Sequence, residues 1–280
     1  MNSELNKERL CCLVLMDFSE SSYIALKYAI SLAKLTNGAI HVCHIGSPGE
    51  VVKTDNQAAA LRAIESQNNK VADKLGAIVE TIITEDIPAM YHHAFGNIIH
   101  EFENLIEQIK PELIVVGKKK ENPKFTGKLT RYLLDIYSGS LLIVNEENEF
   151  KKDTKIAIGC SGNTLHQYAP LLISQLDQHT KTPLTLVNIK TPSKPDEIID
   201  LPKIWQSSYT KNLNISIEQK ESSSIVNGLI EHITDENIQL FCIGNGKRKN
   251  YFQQLFSRND ATLSQIIKSV QIPVLKLGNN

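Results

Sequence analysis

One unit, present twice, constrains this chain more than any other feature. From Glu112 to Asn145 it reads ELIVVGKKKENPKFTGKLTRYLLDIYSGSLLIVN: an apolar strand, a glycine, a basic loop, a helix and a second apolar strand. From Gln239 the stretch QLFCIGNGKRKNYFQQLFSRNDATLSQIIKSVQIPVLKLG repeats that order of parts. Units ending at Asn145 and at Gly278 imply a domain written twice. The 280 residues agree, since one domain usually takes roughly 100–200. The expected domains are residues 1–147 and 153–280, with the charged EENEFKKD (146–153) as the boundary.

In the first half, Leu10 to Met16 is a continuous apolar run, the pattern of a strand covered on both faces. Asp17 ends it, Ser19 can cap a helix from Glu20 to Leu35, and Asn37-Gly38 stops that helix. Strand 2 is Ala39 to Ile45. A helix from Asn56 to Leu75 is expected to stop at Gly76, with Ala77 to Thr84 as strand 3 and Glu85 to Phe95 irregular around Pro88. A helix over Asn97–Ile109, strand 4 at Leu113–Val116, a helix over Leu129–Ile136 and strand 5 at Leu141–Val144 complete the half.

The second half repeats the order. Strands are read at Lys155–Gly159, Leu184–Ile189, Ile215–Glu218, Leu240–Ile243 and Pro273–Leu277. Helices are read at Thr164–Gln178, across 196–212 on either side of Pro202, at Ser222–Ile233 and at Thr262–Val270. Strands alternating with helices predict an α/β architecture of two doubly wound, parallel, five-stranded sheets. In the order 3-2-1-4-5 the switch point lies between strands 1 and 4, which sets Asp17 beside Gly117.

Thirty basic residues against 31 acidic give a net charge of −1, so there is no global pull on nucleic acid or an anionic membrane. No apolar run approaches the ~20 residues needed to span a bilayer, and no signal peptide is visible, so a soluble cytoplasmic protein is expected. The five cysteines fall in or at the end of apolar runs, without CxxC or zinc spacing, and read as buried thiols. Cys160, between a strand and a helix, can alternatively be redox-sensitive. His92, His93 and His100 lack a completing ligand set, and His41 and His44 fall on opposite faces of a strand, so no metal site is expected. Gly159-Cys160-Ser161-Gly162 misses a nucleophile elbow because Asn163 stands where the last glycine belongs. Trp205 reads as packing.

LVLMDFSESSYIALKYAISLAKLTNGAIHVCHI, with ELIVVG further on and SLLIVN at the end of the half, resembles the universal stress protein family, and the doubled layout resembles its tandem members. The resemblance implies a HUP-type, adenine nucleotide alpha hydrolase-like fold and a stress-induced cytoplasmic regulator rather than a metabolic enzyme. It also implies an intramolecular pseudo-dimer through the last strands, with a further homodimer left open and the protein partner unknown. In the nucleotide-binding branch, an aspartate after strand 1 contacts the nucleoside and a loop G-x2-G-x9-G-[S/T] wraps the phosphates.

Here Asp17 matches that aspartate, Gly117 the first glycine and Gly127 the third. Lys120 stands at the second glycine and Lys128 at the hydroxyl position, and the loop is three residues short. In the second half Cys160 or Ser161 falls at the aspartate position, Gly244 at the first glycine and Asp260 at the third, which would repel phosphate.

The expected site is therefore at most one degenerate nucleotide- or anion-binding crevice, at Asp17, Gly117, Lys118, Lys120, Gly127 and Lys128, for ATP, AMP or another phosphorylated ligand. Lysines there replace a glycine cradle with point charges; alternatively the loop is solvated and without a ligand. Asp17 either contacts a nucleoside hydroxyl, pairs with a neighbouring lysine or caps its own helix. No catalytic residue is assigned. A slow ATPase in the same crevice and a ligand-free interaction scaffold stand as the alternatives.

Overall fold

The computed structural model describes residues 9–46, 56–118, 128–135, 137–145, 148–159, 170–192, 213–244 and 261–278. Outside them lie the expected site residues Lys120 and Gly127, the positions Cys160, Ser161 and Asp260, the basic residues of the second loop, Trp205 and the helix expected across 196–212.

The strands of the first half are β1 (Cys11–Leu15), β2 (Ala39–Gly46), β3 (Ala89–Phe95), β4 (Leu113–Gly117) and β5 (Ser140–Val144). Those of the second are β6 (Ile156–Gly159), β7 (Leu184–Lys190), β8 (Ile215–Glu221), β9 (Leu240–Gly244) and β10 (Val274–Leu277). They form one ten-stranded sheet in the order β3-β2-β1-β4-β5-β10-β9-β6-β7-β8, so each half has the expected 3-2-1-4-5 order. Neighbours within a half run parallel, while β5 and β10 meet antiparallel with Leu142 opposite Leu275. The internal pseudo-dimer thus closes through the two last strands, and one edge protects the other.

Seven helices among the described residues cover the two faces: α1 (Glu20–Thr36), α2 (Gln57–Ile83), α3 (Ile98–Ile109), α4 (Lys128–Asp135), α5 (Pro170–His179), α6 (Ile225–Asp235) and α7 (Ala261–Ser269). Helices α1, α2 and α5 pack on one face, with Tyr28, Leu75 and Ile173 buried against Val14, Val42 and Leu275. Helices α3, α4, α6 and α7 pack on the other, with Phe102, Leu133, Ile233 and Ile266 against Leu13, Ile143 and Val274. Each layer runs across both halves without a break. The boundary segment is anchored as well: Phe150 is buried, its ring meets Tyr28 edge-on at 6.3 Å, and its N–H donates to Ser31 Oγ at 2.8 Å.

One expectation is overturned. Gly76 does not end a helix; α2 continues through it to Ile83, and the strand expected at Ala77–Thr84 is the last part of that helix. Val71, Leu75, Val79 and Ile82 are all buried, a 4-4-3 spacing that keeps one helical face on the sheet across the glycine. The β-branched run after Gly76 suggested a strand, but packing of this face outweighs propensity. The third strand lies instead at Ala89–Phe95, in the segment expected to be irregular. The chain reverses at Asp86, whose φ of 60 is left-handed, and enters β3 after Pro88.

A methyl group at Gly76 would meet no atom within 4 Å. Gly76→Ala therefore removes the helix penalty of glycine at no steric cost. It is expected to raise stability by about 1 kcal/mol, seen as an upward shift of the urea midpoint at unchanged slope.

Candidate functional site

β1 and β4 are parallel neighbours, with Val14 opposite Val115, so Asp17, two residues past β1, and Gly117, the last residue of β4, lie at adjoining strand ends as expected. The local sequence builds the turn. Asp17 Oδ1 accepts hydrogen bonds from the Ser19 backbone N–H at 3.0 Å and from the Ser19 hydroxyl. Ser19 is the N-cap of α1, its Oγ accepting from Ser22 N–H. Because the Ser19 proton is committed to Asp17, Ser21 is the donor in the 3.0 Å contact between the two hydroxyls. Ser22 donates to the Ser19 carbonyl at 2.8 Å. The aspartate thus anchors the capping turn of its own helix, one of the roles left open by its position.

Phe18, between Asp17 and Ser19, has φ of 60, a left-handed conformation that costs an aromatic residue roughly 1–3 kcal/mol. Its ring is held by His44, with centroids 4.9 Å apart, and by Lys74 of α2, whose ammonium lies 5.2 Å from the ring centre. His44 Nδ1 lies 2.8 Å from the Met16 carbonyl, which can only accept, so that nitrogen carries the proton.

Gly117 has a steric reason to be glycine. A Cβ there would fall 1.9 Å from the Ser21 carbonyl oxygen, because the first turn of α1 lies directly on the end of β4. Lys118, next in the chain, is half-buried and turned into the second half, its Nζ donating to the Ile267 carbonyl of α7 at 2.7 Å. The backbone of Lys128 begins α4.

Asn145 and Lys276 also tie the halves together, and the sequence reading missed both. Asn145 donates to the Val270 and Ile272 carbonyls at 2.8 and 2.9 Å. Lys276, only 1% exposed, donates to the carbonyls of Leu133, Leu134 and Tyr137 at 3.0, 3.0 and 2.8 Å. A cation at the C-terminal end of α4 also meets the negative end of the helix dipole. The available signal was a lysine inside the apolar strand PVLKL.

Also unforeseen is the pairing of His41 and His92. Their faces are as expected: His44 turns to Met16, and His41 to the opposite side. There His41 Nδ1 and His92 Nε2 lie 2.8 Å apart, with ring planes 14° from parallel. Such a bond needs one N–H and one lone pair. Burial lowers both pKa values from the ordinary 6.5, and the charge of His92 lowers that of His41 further.

With folded values below the unfolded one, the unfolded chain binds more protons between them. The stability from this pair is complete above pH 6.5 and is lost as pH falls through the folded values. The melting temperature is expected to drop on acidification below 6.5, and the drop should shrink in His41→Gln/His92→Gln. The slope that remains belongs to groups such as His179 and His232, which burial also lowers.

Among the described residues no group of three or more His, Cys, Asp or Glu side chains gathers as a metal site would require. Cys12, Cys43 and Cys242 are buried, and burial pushes their thiols up, that of Cys43 to about 12, which makes them poor nucleophiles. Among the described residues, no helix is long and apolar enough to cross a membrane.

The doubled sheet, its antiparallel closure and the β1/β4 switch point in the first half define a class, the α/β proteins made of two doubly wound units joined edge to edge. Residues 12–144 match the model of the universal stress protein family, and this half of the chain is a domain of that family. The length and doubled arrangement fit a tandem member.

A universal stress protein from Archaeoglobus fulgidus DSM 4304 superposes with a TM-score of 0.74 at 14% identity, covering 96% of this chain and 98% of that one. A functionally unknown protein from Pseudomonas aeruginosa PAO1 superposes with a TM-score of 0.59 at 16% identity, over 96% and 92%. At these identities both show the fold alone. No curated protein matches the chain.

Proposed function

We propose that the protein is a non-catalytic, cytoplasmic stress-response regulator. In this reading it is built of two universal stress protein-like domains, residues 1–147 and 153–280, with at most one ligand-accepting place, the first-half crevice at Asp17, Gly117, Lys118, Lys120, Gly127 and Lys128. The observation that carries it is the union of Asp17 and Gly117 at adjoining strand ends over the N-terminus of α1, where such sheets take ligands. That helix start favours an anion. ATP, AMP or another phosphorylated compound is the class of ligand it suits.

The ligand-free scaffold is the second reading, and a specific observation favours it: the described side chains of the site already have structural work. Asp17 holds the capping turn, Gly117 makes room for Ser21, and Lys118 reaches Ile267.

Calorimetry and thermal shift with ATP, AMP and other phosphorylated compounds test both. On the first reading a hundredfold excess over Kd raises stability by about 2.7 kcal/mol, and Asp17→Ala and Lys128→Glu each weaken binding at least about tenfold. Asp17→Ala also loses a turn anchor worth about 1 kcal/mol, so each variant is compared with its own ligand-free melting curve. No stabilisation by any phosphate compound removes the ligand and leaves the scaffold. Phosphate release that survives purification and vanishes in Asp17→Ala points instead to a slow ATPase.

A further inference from the structure

With β5 and β10 spent on each other, the ten-stranded sheet ends at β3 and β8, and these two edges are unlike. β8 reads ISIEQKE, and its Lys220 pairs with Asp235 at 2.6 Å and Glu231 at 3.7 Å. Charges of this kind on an edge discourage further strand pairing. β3 reads AMYHHAF, seven residues with no Lys, Arg, Asp, Glu or Pro, and among the described residues it pairs only with β2. Met90 and Tyr91 on it are 59% and 39% exposed, and Ile83 at the end of α2 is 53% exposed beside them. An open groove of about 490 Å³ beside it is lined by Ile83, Ile87, Pro88 and Met90 together with His41 and Asp86.

We propose that β3 is a homodimer interface, at which a second copy of the chain adds its own β3 antiparallel across a two-fold axis, joining the two sheets into one. Centred on His92, the midpoint of the strand, all seven residues pair. Met90 then stands opposite the partner's Ala94, large against small, and Tyr91 opposite the partner's His93. Tyr91 and His93 already lie in ring contact within one chain, centroids 6.2 Å apart, so the pairing extends one aromatic row across the axis.

The self-complementary composition of β3 selects a second copy as the occupant. A strand without formal charge meets itself with no like-charge pair, and its register with a second copy sets Met90 against Ala94 and Tyr91 against His93. The chain also already joins its own halves by antiparallel pairing of equivalent edge strands. Ile83 and Met90 supply an apolar flank of the kind that interface cores use. The proposal does not depend on whether the crevice holds a ligand.

Sedimentation velocity of the full chain over a micromolar to submillimolar dilution series tests it. The expected result is a species of twice the 31.3 kDa chain mass at the upper end. Met90→Lys/Tyr91→Lys, both at exposed positions, should weaken dimerisation at least about tenfold, whereas Ile217→Lys on β8 should leave it unchanged. A monomer at every concentration overturns the proposal, as does a dimer that survives the double substitution or is lost with Ile217→Lys. If the double variant fails to fold, hydrogen exchange on the unaltered chain decides: amides of residues 89–95 should gain protection with concentration, and unchanged protection overturns the proposal.

Discussion

Lys276→Met is expected to lower stability by about 3 kcal/mol, a melting shift of roughly 5–10 °C, although it keeps the volume of the side chain. The lysine donates to three carbonyls at the end of α4, a helix of the other half. Methionine fills the space but leaves those buried acceptors without their charged donor, and an orphaned acceptor costs more than a hydrogen bond contributes net. The loss should appear where the carbonyls are: hydrogen exchange in α4 quickens, although the substitution sits in β10. One cooperative unfolding transition is expected to persist, because both core layers cross from one half to the other. A change of less than 1 kcal/mol would show that the three contacts are not holding the halves together.

Gly117→Ala is expected to cost a similar amount, about 3 kcal/mol, for a steric reason. The added methyl group would fall 1.9 Å from the Ser21 carbonyl oxygen, which belongs to the backbone of α1 and cannot rotate away. Helix and strand must separate, which loosens the buried contacts of Ile24 and Ala25 beneath them. The measurement also separates two reasons for a glycine at this place. If it served only the approach of a phosphate, Gly117→Ala would weaken ligand binding and leave the ligand-free melting temperature alone. A lowered melting temperature without ligand identifies it as a packing glycine.

Much of the fold is legible in the sequence because its signals are local. Apolar runs mark most of the strands, and Ser19 stands where an N-cap belongs and accepts the backbone N–H bond expected of it. The failure at Gly76 has the same origin. Glycine and a β-branched run are local signals for a break, while the burial of Val71, Leu75, Val79 and Ile82 on one face is a packing fact. From that error followed the displacement of β3, and with it the loss of the His41–His92 pair, which exists only if residue 92 lies on a strand beside β2.

The site was legible as a place and not as a set of roles. Asp17 and Gly117 could be set side by side because crossover handedness leaves few strand orders, and strands 1 and 4 then adjoin. Lys118 looked like one cation among several in a basic loop. In the folded chain it reaches Ile267, 149 residues away, across a junction whose register no local pattern encodes.

By itself, then, the sequence determined most of the element types, the doubling and the 3-2-1-4-5 order, since periodicity, capping and connection rules act over a few residues or a single crossover; the stretch from Gly76 to Phe95 is the exception. The tertiary structure alone decided that Lys276 and Lys118 tie the halves together, that Gly117 yields space to Ser21, and that β3 and β8 are the sheet's remaining edges. Those facts depend on which distant atoms come within hydrogen-bond or van der Waals reach once β5 and β10 have paired.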